Sequence, residues 1–425
     1  MTDGGSIIMY EMKKIPCEGT MDHSLSLLLD GYSFIQNRCY KYKTDIFQTH
    51  LLGQKAICMS GKDAAKVFYD NEYFKRKDVT PKRVQKTLTG QQGVQGLDGK
   101  EHMNRKQMFL SIMTPDNVQL LIDYTNKQWK SNSRRWYNKD IVLFDEAQII
   151  MCQIACRWAG VPLRARETKQ RASDLGKMID GFGAVGPRYW QGRIARQHSE
   201  KWIREIIADI RSQKLNPEKG SAAFTIAWYL DQDSKLLSTQ VAAVELLNII
   251  RPIVAIATYI TFGALAMFEY PDCRKKFQIS GTPYKDMVVQ EIRRLYPFTP
   301  YVGAEVKKSF IWKQYYIKKG TLVLLDIYGT NHDPRLWNNP YDFIPERFYN
   351  WDHNAFSFMP QGGGDCNTGH RCAGELVTTE VLKASLEFIV NHLNYKVPKQ
   401  NLNYCLSRIP TLPKSRFRMS KVKII

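Results

Sequence analysis

The chain has 425 residues, of which 44% are hydrophobic and 24% are charged, and its formal net charge is +20 at pH 7. This composition predicts a soluble globular protein and excludes a disordered or fibrous chain. The nine scattered cysteines argue against a disulfide framework and indicate a reducing compartment, by default the cytoplasm. The basic residues are spread along the chain without a nucleic-acid-binding motif, so the charge does not indicate a nucleic-acid partner.

The N-terminal part of the chain predicts a loose extension followed by one folded domain. Residues 1–20 contain two adjacent glycines and few periodic apolar positions, whereas the leucines of residues 23–40 have helical spacing. The first thirty residues include several acids and no long apolar run, so we expect neither a signal peptide nor a transmembrane anchor. A short strand is predicted at 55–59. No repeat, low-complexity tract or linker divides residues 21–425, which we expect to form a single domain.

A glycine-rich loop at 91–99 leads into a predicted helix at 100–113. On that helix His102 and Lys106 are four residues apart and therefore share a face. A solvated polar face is one interpretation. If a haem is present, the same face could instead bind its propionates by charge-assisted hydrogen bonds. In the preceding loop, Gln95 is a neutral donor and acceptor that cannot relay charge.

The centre of the chain is helical and contains its longest apolar segment. Residues 117–215 predict several helices, and residues 238–269 predict a helix that is apolar nearly all round, as in a large core or a membrane span. Arg251 and Pro252 interrupt this segment, which favours the core. A buried cation needs an anion, and the candidates are Glu245 or the carboxylate of a substrate. Because Pro252 lacks an N–H and would open the helix, we interpret this position as an active site.

A possible charge network follows the central helix. Glu291 and Arg294 lie three residues apart on a predicted helix, where an exposed pair would contribute little. Strands are predicted at 310–317 and 321–326, and an extended proline-containing segment then carries Arg347. We expect Arg347 to complete a three-member network. Helices with a few short strands predict a mainly α fold with peripheral sheets.

A glycine-rich loop at 361–375 contains the most informative cysteine. Its three consecutive glycines let the backbone pass close to a flat or bulky group, and Cys372 stands just before a stretch with helical apolar spacing. A helix N-terminus and the adjacent Arg371 predict a lowered pKa and a thiolate, as a thiolate-ligated haem iron requires. An ordinary buried cysteine is an alternative. A zinc site from Cys366, His370 and Cys372 is another, although no fourth ligand stands nearby.

Three motifs together resemble those of the cytochrome P-450 superfamily. They are Glu291-x-x-Arg294, the Pro-Glu-Arg-Phe of 345–348, and the glycine-rich cysteine loop before a helix, in that order. The resemblance extends from about residue 21 to the end and implies an α-rich triangular prism with small peripheral β-sheets. It also implies a haem b (iron protoporphyrin IX) between the central helix and the cysteine loop. The implied haem-binding residues are Cys372, as the thiolate ligand of the iron, and His102, Lys106 and Arg371.

Two features depart from the general pattern of that superfamily. Gly369 and Arg371 stand three and one residues before the cysteine, instead of four and two, with His370 between them. Arg251-Pro252 replaces the acid–alcohol pair that delivers protons to bound dioxygen. Both departures are similar to those of the bacterial fatty-acid peroxygenases. Further segments similar to that subfamily are 94–96, 182–187 and 369–375.

This second resemblance implies hydroxylation of long-chain fatty acids at the alpha or beta carbon by hydrogen peroxide, without an obligatory redox partner. Arg251 would bind the substrate carboxylate, which would act as the general acid–base. Gln95 stands where hydroxylating members have glutamine and the best-known alkene-forming decarboxylase has histidine, so it favours hydroxylation. The implied catalytic residues are Arg251, Pro252 and Gln95. The implied substrate-binding residues are Arg251, Leu88, Gln95, Val185 and Phe298.

Three other functions are also compatible with the sequence. A reductase-dependent fatty-acid monooxygenase of the same fold would require NAD(P)H and an electron-transfer partner. An alkene-forming decarboxylase would release a shortened product. A haem-thiolate sensor or fatty-acid carrier would bind fatty acid with a spectral shift but give no product with peroxide.

Overall fold

The structure of the protein, a computed structural model, describes residues 12–425. These residues form fifteen α-helices and ten β-strands, so the predicted mainly α fold class is confirmed. The helices are α1 Ser24–Asp30, α2 Phe34–Tyr42, α3 Lys62–Phe68, α4 Lys82–Val84, α5 Gly99–Ile112, α6 Pro115–Ser133, α7 Leu143–Ala159, α8 Thr168–Gly181, α9 Pro187–Arg211, α10 Ala222–Ala227, α11 Thr239–Glu269, α12 Pro271–Ile279, α13 Thr282–Leu295, α14 Ile327–Asn331 and α15 Glu375–Asn391. The strands are β1 Ile46–Leu51, β2 Gln54–Met59, β3 Phe74–Lys75, β4 Ile141–Val142, β5 Tyr301–Val306, β6 Phe310–Trp312, β7 Tyr315–Ile317, β8 Leu322–Asp326, β9 Leu393–Lys396 and β10 Arg418–Ile424.

Within residues 12–425 the strands form three small sheets. The largest has the order β1-β2-β8-β5-β3, the second β4-β10-β9, and the third is the β6-β7 hairpin. In the largest sheet β2 and β8 are parallel, with Ile57 opposite Val323. The single strand predicted at 310–317 is wrong. Lys313 and Gln314, with φ of 47° and 71°, form a tight turn that folds this segment into the hairpin.

Helix α11 is the centre of the helical core. The Ser238 hydroxyl caps it by accepting a hydrogen bond from the Val241 N–H. Every residue from Val241 to Met267 except Pro252 is buried, and α11 packs against α7, α9 and α15. The helix is long and apolar enough to cross a membrane, but 94% of its most apolar window is buried inside the protein. It is therefore a core helix.

Pro252 lies inside α11 and does not end the helix. The helix is continuous from Thr239 to Glu269, with Pro252 inside it. Proline removes one backbone hydrogen bond, to the carbonyl of Asn248. The buried apolar turns on both sides of it pack against three other helices and hold the helix together across that gap.

The segment before α1 is ordered where the structure describes it. Of the loose extension predicted at 1–20, residues 1–11 lie outside the described residues. Lys13 pairs with Tyr315 of β7, and farther along the Glu18 N–H donates to the Gln48 carbonyl of β1 at 2.9 Å. The Glu18 carboxylate accepts from Arg38 Nε at 2.6 Å. For residues 12–20 the prediction of a loose extension is therefore wrong, because these long-range contacts are invisible in a local pattern.

The network of Glu291, Arg294 and Arg347 is confirmed. Arg294 donates to both carboxylate oxygens of Glu291, at 2.7 and 2.8 Å, and Arg347 Nε donates to Oε1 at 3.1 Å. The backbone N–H of Ile344 donates to the same oxygen at 2.9 Å. Since Glu291 and Arg294 are buried, this is a core ion pair that joins α13 to the segment preceding the cysteine loop.

Candidate active site

Cys372 lies at the end of the glycine-rich loop, three residues before α15 begins at Glu375. Its backbone N–H donates to the carbonyl of Gln361 at 3.1 Å, and the Gln361 side-chain amide lies 3.8 Å from the sulfur. The loop is tightly packed: a Cβ on Gly363 would lie 2.7 Å from Sδ of Met359. Glycine is required there because the backbone approaches its neighbours too closely for a side chain.

The predicted lowering of the Cys372 pKa is wrong for the protein alone. Desolvation raises this pKa, although the backbone N–H of Gly374 lowers it in part. Arg371 does not compensate, because its Nε donates to the carboxylate of Glu375 at 2.6 Å and its charge is thereby paired. Coordination to a metal cation deprotonates a thiol, so a bound iron would restore the thiolate.

His102 and Lys106 are buried on the face of α5 that meets the cysteine loop. The Lys106 ammonium donates to the carbonyls of Gly369, at 3.1 Å, and Arg371. The His102 ring lies against the ring of His370, with centroids 4.0 Å apart. Burial lowers the pKa of His102 to about 3, so this imidazole is neutral at pH 7. Lys106 can therefore offer a propionate a cationic donor, and His102 can offer it a neutral imidazole N–H.

The zinc alternative is not supported. Among residues 12–425, no group of three or more His, Cys, Asp or Glu side chains is arranged to hold a metal ion. The Cys366 thiol donates to the Cys372 carbonyl at 3.6 Å, and His370 Nε2 lies 3.6 Å from the Asp98 carboxylate. The Cys372 thiol at the end of a closely packed glycine loop, with the Lys106 ammonium beside that loop, fits a thiolate-ligated haem.

Arg251 is a buried cation without a counter-ion. It is 8% exposed, its Nε is buried without a partner, and within residues 12–425 its guanidinium forms no ion pair. Glu245, the structural partner considered from sequence, is instead paired with Arg105 at 2.6 Å. The pKa of Arg251 is lowered to about 9, mainly by desolvation and also by nearby Arg196, while the Cys372 thiol partly offsets this decrease. The site therefore holds a positive charge at pH 7 that is suited to a ligand carboxylate.

Gln95 lies beside the same stretch of α11. It belongs to a 3₁₀ turn at Val94–Gly96, and its Oε1 accepts a hydrogen bond from Asn248 Nδ2 at 3.3 Å. The Asn248 amide also donates to Glu245 Oε2 at 3.0 Å. Because Asn248 precedes Arg251 by three residues, the two lie one helical turn apart on one face. Gln95 thus contacts the face of α11 that also carries Arg251.

The other predicted site residues have different environments. Leu88 and Phe298 are half-buried, and the Phe298 ring stacks on Tyr259 of α11 with centroids 4.6 Å apart. Pro252 is half-buried on α11. Val185 is 53% exposed in the turn between α8 and α9, so its side chain is not buried with Arg251 and Asn248.

The sequence-based list omits Asn248, Arg105 and Arg196. Asn248 was detectable, because its spacing from Arg251 places it on the same helical face. Arg105 had no such signal, since 140 residues separate it from Glu245.

Comparison with known proteins places the chain in a family. The cytochrome P450 family model matches residues 272–417. Cytochrome P450EX alpha (CYP152N1), solved with myristic acid, is 42% identical, with a TM-score of 0.94 over 97% of this chain and 100% of that chain. Cytochrome P450SP alpha (CYP152B1), solved with (R)-ibuprophen, is 42% identical, with a TM-score of 0.93 over 95% and 100%. A variant of cytochrome P450 OleT in complex with arachidonic acid is 33% identical, with a TM-score of 0.95 over 97% and 99%.

The overall architecture predicted from sequence is confirmed by these superpositions. The chain therefore belongs to the cytochrome P450 superfamily and, within it, to the CYP152 family, and it is accordingly an oxidoreductase with a thiolate-ligated haem b.

Proposed function

We propose that this protein hydroxylates long-chain fatty acids at the alpha or beta carbon, with hydrogen peroxide as the oxidant and without an obligatory redox partner. The observation that carries the proposal is the buried guanidinium of Arg251, which has no counter-ion among residues 12–425. Two similar structures were solved with fatty acids, myristic acid and arachidonic acid, whose carboxylate matches this charge. The reducing compartment indicated by the cysteines supports a cytoplasmic location.

Cys372 would hold the haem iron through its sulfur, and Lys106, His102 and Arg371 surround the same loop as candidates for its propionates. When bound, a thiolate-ligated haem activates peroxide for transfer of one oxygen atom into a C–H bond. The glycine loop packs too closely to admit larger side chains, so the position of Cys372 relative to α15 is well defined.

Arg251 would bind the fatty-acid carboxylate through two parallel N–H···O contacts. These two contacts fix the carbons nearest the carboxylate, which directs oxidation to the alpha or beta carbon rather than to carbons farther along the acyl chain. The carboxylate oxygen would take a proton from hydrogen peroxide and return it to the departing oxygen, which yields water. The substrate thereby supplies the acid–base group that Arg251-Pro252 lacks.

The test uses haem-loaded protein, palmitic acid and hydrogen peroxide without reductant, with products analysed by mass spectrometry. We expect 2- or 3-hydroxypalmitic acid. A product that requires NAD(P)H and a reductase would identify a reductase-dependent monooxygenase instead. A terminal alkene one carbon shorter as the main product would identify a decarboxylase. No product from protein with a normal thiolate-haem spectrum would identify a carrier or sensor.

A further inference from the structure

Glu245 is the buried end of a series of hydrogen bonds that leads through Asn248 to Gln95. The Glu245 side chain is fully buried on α11, and its carboxylate is paired with Arg105 at 2.6 Å. The other oxygen, Oε2, accepts from Asn248 Nδ2 at 3.0 Å. Glu245 is therefore connected, through Asn248, to the turn that carries Gln95.

The chemistry of these groups determines which way each amide points. A carboxylate paired with an arginine accepts hydrogen bonds and donates none, so Asn248 must turn its NH₂ group toward Glu245. The same NH₂ group faces Gln95 at 3.3 Å, so Gln95 must turn its oxygen toward Asn248. The Gln95 nitrogen then points away from Asn248. It makes no hydrogen bond to any residue from 12 to 425, and the Gln95 side chain is exposed.

Gly93 shows that this arrangement is closely packed. A Cβ on Gly93 would lie 2.9 Å from Asn248 Nδ2 and 3.1 Å from Gln95 Oε1. Both distances are shorter than ordinary van der Waals contact. The loop backbone thus lies directly against the pair of amides and leaves no room for them to rearrange without cost.

We propose that Glu245, acting through Asn248, makes Gln95 a hydrogen-bond donor toward the carboxylate that Arg251 binds. Glu245 and Asn248 are positioning residues in this scheme, and Gln95 recognises an anionic ligand by its amide N–H. The inference rests on the proposed function, because it takes the fatty-acid carboxylate as the ligand. It explains why the buried carboxylate of Glu245 is tolerated near a site for an anionic ligand. Arg105 neutralises the charge of Glu245, so Glu245 affects the ligand only by orienting the amides of Asn248 and Gln95.

The decisive variant is Glu245→Gln, which changes one oxygen to NH₂ and keeps the shape. Its carbonyl oxygen can still accept from Arg105, but its NH₂ now faces Asn248. Asn248 must then turn its oxygen to this group, and Gln95 must turn its NH₂ to Asn248. The Gln95 oxygen would therefore face the ligand carboxylate. We expect the Kd of myristic acid, measured by calorimetry on haem-loaded protein without peroxide, to rise about tenfold.

A matched control lies in the segment before α1. The Glu18 carboxylate accepts from Arg38 Nε at 2.6 Å and from the Thr49 hydroxyl at 2.8 Å, so an arginine and a neutral donor share it, as they share Glu245. Within residues 12–425 its hydrogen bonds do not lead to Gln95 or Arg251. Glu18→Gln should leave the Kd of myristic acid unchanged. An equal loss of affinity in Glu18→Gln and Glu245→Gln, or no loss in Glu245→Gln, would overturn the proposal.

A double-mutant cycle keeps the test valid if Glu245→Gln does not fold. Gln95→Leu removes the donor, and Asn248→Leu removes its orienting partner while the Arg105–Glu245 pair stays intact. We expect the double variant to bind myristic acid no more weakly than Gln95→Leu alone, because both changes remove one effect. Losses that multiply, or wild-type affinity in Gln95→Leu, would refute the orientation role. If wild-type protein does not bind myristic acid, the proposed function itself fails.

Discussion

The guanidinium of Arg105 binds the carboxylate of Glu245 at 2.6 Å, and this pairing leaves Arg251 without a counter-ion in the part of the chain that the structure describes. Glu245 and Arg251 lie on one helix, six residues or about 9 Å apart along its axis. Glu245 therefore faces α5, whereas Arg251 lies near the cysteine loop, where the Cys372 thiol raises its pKa. One buried carboxylate cannot serve both arginines, and the uncompensated one is the candidate substrate-binding group.

Replacing Arg251 with an apolar residue should increase the stability of the protein and greatly reduce its fatty-acid turnover. A buried unpaired cation is costly, so Arg251→Met should raise the free energy of unfolding of the fatty-acid-free protein by about 1–4 kcal/mol. The same variant should lose fatty-acid turnover by several orders of magnitude, because positioning and proton transfer depend on the bound carboxylate. Denaturant unfolding and product analysis measure the two effects. Arg251→Lys is the control, since it keeps the charge and loses the bidentate geometry; near-normal turnover in Arg251→Met would contradict the proposed role.

Fatty-acid affinity should depend on pH in the alkaline range. The pKa of Arg251 is lowered to about 9 in the protein without ligand, so the guanidinium is charged below that pH and loses its proton above it. A carboxylate binds the charged form, and the Kd of myristic acid should therefore be constant near pH 8 and rise above pH 9. Calorimetry at several pH values measures this. Arg251→Met should lack the alkaline rise, and a constant Kd in the wild type up to pH 11 would show that this pKa does not control binding.

Cys372→Ser should abolish thiolate ligation while the fold is kept. Among residues 12–425 the sulfur has one side-chain contact near hydrogen-bonding range, the Gln361 amide at 3.8 Å, so the variant should unfold at nearly the wild-type temperature. The absorption spectrum of the reduced, carbon-monoxide-bound protein should lose the thiolate band. Cys366→Ser is the matched control in the same loop and should keep it. A normal thiolate spectrum in Cys372→Ser would assign the ligand to a different cysteine.

The Glu291 network should be essential for stability. Glu291→Gln leaves Arg294 buried with half of its carboxylate contacts, and we expect a loss of about 3–5 kcal/mol in the free energy of unfolding. The control is Glu346→Gln, which breaks the exposed pair with Lys276 at 2.9 Å and should cost less than about 1 kcal/mol. Denaturant unfolding of both variants measures the difference. Equal effects would mean that burial does not distinguish the two pairs.

Local patterns in the sequence predicted several elements and positions correctly. The apolar run after Ser238 predicted α11, because a helix buried on all sides needs no polar face. The residue pair Glu291 and Arg294 predicted its own contact, since spacing of three residues is a local property of any helix. Arg251 was identified as a buried cation because it interrupts an apolar run. Each of these inferences depends on residues close together in the chain.

Tertiary structure decided which groups pair with which. Only the fold brings Arg105 to Glu245 and Gln95 to Asn248, across 140 and 153 residues, and so determines that Arg251 is left free. It also raises the Cys372 pKa, which the local sequence predicts to be lowered. Burial removes water from the sulfur, and Arg371 is paired with Glu375. Helical spacing follows from the backbone and can be seen in the sequence. The choice of a partner for a buried charge depends on which groups the complete fold brings within hydrogen-bonding distance.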